Sequence, residues 1–176
     1  DKYLTFIESL RLSSMRANLN KNLEPVLKSQ VTQERVSNPL FYRKKDKRST
    51  ATTPLGRDNK VGWYHIHERQ IANSENSNST LLLIGDSIVV GLKRYQKIWR
   101  SYFQTYKALN HGIGGDRTQH VLWRAINSKL SKTLTHAVIH CGTNNIDHDL
   151  PVDIANGIMA IGLALQEKCP DLKIII

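Results

Sequence analysis

Four short strand-like segments, Leu81–Ile84, Tyr106–Asn110, His136–Cys141 and Leu172–Ile176, alternate with longer stretches whose apolar residues return at helical spacing. The helical stretches are Val89–Tyr102, Thr118–Leu130 and Val152–Lys168, the last beginning near Pro151. Parallel strands need a long crossover between them, and a helix is the usual crossover. The alternation therefore predicts an α/β fold: a three-layer parallel sheet with helices on both faces, linked by right-handed crossovers, with Leu81–Ile84 central. In such a sheet the working groups gather beyond the C-terminal ends of the strands.

Those ends carry polar signals. After the first strand comes Gly85-Asp86-Ser87, after the second Asn110–Thr118 (NHGIGGDRT), and after the third Cys141–Asn145 (CGTNN). A serine opening a helix, a glycine loop with free N–H groups and an amide side chain are the parts of a nucleophile with an oxyanion hole. Each part has a plainer reading. Gly-Asp-Ser is an ordinary turn, HGIGGD suits a strand-to-helix turn and fails GxGxxG at Arg117, and Asn144 and Asn145 suit a cap. The case rests on all three lying on one edge.

The N-terminal part of the chain has a different character. Leu4, Ile7, Leu10, Met15, Leu19 and Leu23 predict an amphipathic helical extension over residues 1–36, with Pro25 interrupting it. Residues 37–60 hold Pro39, Pro54, Gly56 and the run RKKDKR at 43–48, and read as a basic polar linker. The domain is expected over 61–176. A net charge of +10 leaves weak nucleic-acid binding through 43–48 open, and such binding would weaken steeply with salt.

Other classes are disfavoured. No run of about 18 apolar residues is present for a membrane span, and the first residues lack the apolar block of a secretory signal. Cys141 and Cys169 make neither a disulfide framework nor a CxxC metal knuckle, so a reducing, cytoplasmic setting is expected. His136 and His140 share a strand face without a third ligand, and His65 and His67 read as part of an extended lead-in. His111, at a strand end, reads as structural. No P-loop supports phosphoryl transfer.

The blocks IGDSIV, ALNHGIGGDRTQHVLWR and HCGTNN, with Trp63-x-x-x-His67 ahead of them, resemble the first three sequence blocks of the SGNH, or GDSL, hydrolases. They are especially similar to the catalytic subunits of type Ib platelet-activating-factor acetylhydrolases, and also to esterase-like domains of some retrotransposon proteins. The resemblance covers about residues 61–176. It implies a flavodoxin-like sheet and acyl-enzyme chemistry without metal or organic cofactor. It makes Ser87 the nucleophile and an oxyanion donor through its own N–H, with Gly115 giving a second backbone N–H and Asn144 a side-chain N–H. The implied substrate is a small acyl ester, and a homodimer would be typical.

One family block has no counterpart. The general base and its orienting acid come from a late Asp-x-x-His, and no Asp-x-x-His occurs in these 176 residues, which stop at Ile176 on the fourth predicted strand. Asp147-His148 has the wrong spacing. On this reading the fold is truncated and the chain is inactive or weak. The alternative is a noncatalytic nucleic-acid-associated or assembly protein carrying an esterase-like domain.

Overall fold

The computed structural model describes residues 49–176. The expected helical extension and the run at 43–48 lie outside the described residues. Within them the elements run α1 (Trp63–Glu75), β1 (Leu81–Gly85), α2 (Ser87–Gly91), β2 (Leu109–Gly112), α3 (Thr118–Ile126), β3 (His136–His140), α4 (Pro151–Lys168) and β4 (Lys173–Ile175). Short helical turns occupy Leu92–Phe103 and Thr143–Asn145. The strands form one parallel sheet in the order β2-β1-β3-β4, so β1 lies inside it as expected.

Alternation along the strands selects the core. Leu82 pairs with Ala137 and Ile84 with Ile139, so these four side chains share one face. Against that face pack Val121, Leu122 and Ala125 of α3 with Ile161, Ala164 and Leu165 of α4, all buried. Each buried Leu or Ile contributes roughly 1.5–3 kcal/mol relative to exposure, which makes this layer the main stabilising element. At the outer edge the sheet ends in apolar residues, Ile175 at 44% and Ile176 at 69% exposed.

Local differences from the sequence reading have identifiable causes. The lead-in around His65 and His67 is the helix α1, not extended chain. Trp63, His67, Gln70 and Ser74, at helical spacing, are its buried face, and the rings of Trp63 and His67 pack on Trp123 of α3. The single helix expected over 89–102 is broken at Tyr95, whose backbone leaves the helical region. The second strand begins at Leu109 rather than Tyr106, because Lys107 takes a positive φ of 48° and Ala108 N–H returns to Phe103 O.

The expected linker divides. Residues 37–48 fall outside the described region, whereas 49–60 belong to the same compact unit as the sheet. Ala51 is fully buried, its carbonyl accepts from Thr118 Oγ1 at 2.9 Å, and Leu55 N–H donates to Gln119 O. A methyl group on Gly157 of α4 would come within 2.6 Å of Ala51 O, so the glycine is what lets this segment lie against the helix.

Candidate active site

Three strand ends meet around Asp116. Its carboxylate is fully buried and fully engaged: Trp63 Nε1 donates at 2.8 Å, Arg57 Nη1 at 3.2 Å and Arg124 Nε at 2.9 Å. Arg124 is also fully buried, and its remaining nitrogens donate to His111 O at 2.7 Å and Gly85 O at 2.8 Å. One guanidinium thus ties the C-terminal ends of β1 and β2 to the glycine loop. A planar fork with several donors suits this task, and a lysine could not span the three acceptors. Gln70 adds a bond from Nε2 to Gly112 O at 3.0 Å.

Ser87 opens α2 and is exposed, one residue after the buried Asp86, whose carboxylate caps the helix by accepting from Ile88 N–H at 2.9 Å. Asp86 thereby orders the turn. Asn110 fastens α2 to β2, donating to Val89 O at 2.6 Å and accepting from Gly112 N–H. Ser87 lies next to the glycine loop: a methyl group on Gly114 would stand 3.8 Å from Ser87 Cβ.

Gly115 is exposed with a φ of +77°, the left-handed region in which a side chain is strained. The carbonyl of the preceding Gly114 accepts from Lys60 Nζ and from Arg57 Nη1, the latter at 3.2 Å. Asn144, half-buried in the turn after β3, donates from Nδ2 to Asp116 O at 2.8 Å. An amide nitrogen carries two hydrogens, so this bond orients the group and leaves a second N–H. Asn145 is different: fully buried, it accepts from Thr118 N–H and donates to Asp149 Oδ2, holding the turn against α3.

The histidines are distributed among other tasks. His111, within β2, is buried, and burial, assisted by the Arg124 charge, pushes its pKa down to about 3, so it stays neutral. His120 accepts from Arg117 N–H through Nδ1 at 3.0 Å and is pushed down to about 4, chiefly by burial. His148 lies 2.5 Å from Arg117 Nη2 on the surface. His136 contacts Thr135 Oγ1, and His65 faces Glu68. Among the described residues no histidine bonds to the Ser87 hydroxyl. Burial pushes the Cys141 thiol up to about 12, so it is held as a thiol.

The residues that sequence reasoning passed over are Arg57, Lys60 and Arg124. Arg124 had a signal, a charge set among Val121, Leu122 and Ala125 on the apolar side of a helix. Arg57 and Lys60 had none beyond their charge, since only the folded chain brings them to Gly114.

These features define a parallel α/β domain whose C-terminal sheet edge presents a serine, a glycine loop and an amide. The chain is 38% identical over 115 residues to platelet-activating factor acetylhydrolase IB subunit alpha1 of Bos taurus, a match that covers 65% of this chain and 49% of the relative. It is 37% identical over the same length to the alpha2 subunit of Rattus norvegicus, with the same coverage. A solved Streptococcus pneumonia protein, provisionally described as a platelet activating factor, shares the fold with a TM-score of 0.52 at 24% identity, covering 63% of this chain and 51% of that one. No protein-family model matches the chain. The domain is similar to the platelet-activating-factor-acetylhydrolase subunits of the SGNH type that its sequence blocks resemble. The chain spans about half the length of the curated relatives it matches.

No helix among the described residues is long and apolar enough to cross a membrane.

Proposed function

We propose that this domain is the acyl-accepting part of a serine ester hydrolase. The observation that carries this reading is the juxtaposition of exposed Ser87 with a glycine loop whose next residue, Asp116, is bonded through its carbonyl to the Asn144 amide. Ser87 Oγ attacks the ester carbonyl, and the resulting oxyanion is met by the N–H groups of Ser87, Gly115 and Asn144. One such donor is worth roughly 3 kcal/mol of transition-state stabilisation, because it is aimed before charge develops. A serine hydroxyl needs a base at neutral pH. In this reading the base is supplied from outside these 176 residues, which contain no Asp-x-x-His.

The relatives' names support an acetyl ester as the substrate class and a subunit of an assembly as the state.

The test supplies the base in solution. The chain is incubated with p-nitrophenyl acetate and imidazole, and acetyl groups are located by peptide mass spectrometry. Oγ bonds to the acetyl carbon, p-nitrophenolate leaves, and imidazole takes the hydroxyl proton. The adduct is expected on Ser87, absent in Ser87→Ala, and formed roughly 10²- to 10³-fold more slowly in Asn144→Ala. Equal labelling of the Ser87→Ala chain would sink the assignment of the nucleophile.

A further inference from the structure

The segment that reads as a linker ends in two cations that meet on a single carbonyl. Arg57 and Lys60 both donate to Gly114 O, the oxygen of the peptide unit whose nitrogen is Gly115 N. The turn presenting them is itself fixed: Lys60 N–H returns to Arg57 O, Trp63 N–H to Lys60 O, and the Trp63 ring nitrogen reaches Asp116. Building on the reading of Gly115 as an oxyanion donor, we propose that Arg57 and Lys60 are positioning residues for it: by holding and polarising the Gly114–Gly115 carbonyl, they orient and strengthen the Gly115 N–H.

The physical basis is the conjugation of the peptide group. Its carbon–nitrogen bond has partial double-bond character, so the C=O and N–H turn as one plane and share electron density. A cation bonded to the oxygen draws density from the nitrogen and makes the N–H a better donor, as in cooperative hydrogen-bond chains. Two donors on the oxygen also resist rotation of that plane, which at Gly115 no side chain would oppose. The Arg57 charge is partly matched by Asp116, bonded to the same Nη1 at 3.2 Å. The Asp116 carboxylate is shared with Trp63 and Arg124, however, while Lys60 has Gly114 O as its bonded acceptor among the described residues. Lys60 is therefore the cleaner probe.

Amide NMR reads the polarisation without needing turnover. In Lys60→Met the Gly115 ¹⁵N and ¹H resonances are expected to move upfield by more than those of any other glycine, and Lys60→Arg is expected to restore them. Acetylation of Ser87 by p-nitrophenyl acetate with imidazole is expected to slow about tenfold in Lys60→Met at unchanged saturation behaviour, a fraction of the effect of deleting a donor outright. Arg57→Met with Lys60→Met should enlarge both effects; Lys60→Met alone carries the test if the double variant does not fold. A Gly115 resonance that moves no more than its neighbours, or a loss that Lys60→Arg fails to repair, overturns the proposal. Labelling that persists in Ser87→Ala would overturn the hydrolase reading instead, and the Gly115 shift would still decide the polarisation.

Discussion

At the C-terminal edge of the sheet, Asp116 and Arg124 are fully buried and bonded to backbone and side chains from three elements, while Ser87 and Gly115 remain exposed beside them. At the opposite edge a cleft of about 770 Å³ is lined by Ser128, Ser131, Thr133, Lys129, Lys168 and neighbouring residues. There the hydroxyls are spent on nearby carbonyls: Ser131 on Ser77 O at 2.6 Å, Thr133 on Ser79 O at 2.8 Å and Ser128 on Arg124 O at 2.6 Å. Its ion pair, Lys129 with Glu75, sits on the surface. A cavity alone thus does not mark the site. What marks the candidate site is a buried charged framework that leaves particular donors uncommitted, and the cleft has no such framework among its lining residues.

The sharpest way to break this contrast is to remove the framework. Arg124→Met leaves the Asp116 carboxylate buried without its closest cation and takes a donor away from the carbonyls of His111 and Gly85. A loss of about 3–5 kcal/mol in urea unfolding is expected, the scale for breaking a buried ion pair. A loss no larger than that of Ser131→Ala would show that the two edges are not held differently.

Acid should strike the C-terminal edge next. His111, whose pKa falls from 6.5 to about 3 on folding, is neutral in the native state and takes up a proton on unfolding once pH drops below 6.5. The unfolded chain then binds more protons, so stability falls with falling pH between about 6.5 and 3, by up to about 1.4 kcal/mol per pH unit from this residue. His111→Gln should flatten the dependence of the urea midpoint between pH 7 and pH 5. An unchanged slope would remove His111 from the account.

Gly157→Ala probes the attachment of residues 49–60. The added methyl meets Ala51 O, and a cost of roughly 1–3 kcal/mol is expected with faster proteolysis within 49–60. Unaltered cleavage would mean that the segment is not held through this contact. At the other edge Ser131→Ala should cost only about 1 kcal/mol. Lys129→Ala should move the urea midpoint least of all, since an exposed ion pair contributes roughly 0–1 kcal/mol.

Much of this molecule was legible in one dimension. Apolar runs of strand length set between helical patterns are a local property, and they marked the parallel sheet, its central strand and the edge where polar loops collect. The loops that hold Ser87, Gly115 and Asn144 could be singled out because each follows a strand end, while the choice of these residues within the loops rested on the family resemblance. The helix α1 was legible too, through the spacing of Trp63, His67, Gln70 and Ser74, but two histidines of matching parity were read as extended chain. Other features depended on contacts between residues far apart in sequence. That Asn144 spends one N–H on Asp116 O while Asn145 is a buried structural hub follows from which amide the turn after β3 sends inward. That Arg57 and Lys60 converge on Gly114, more than fifty residues away, follows from Gly157 admitting their segment and Trp63 anchoring it to Asp116. A charge in a polar stretch looks the same whether solvent or a peptide carbonyl receives it, and only the tertiary structure decides between them.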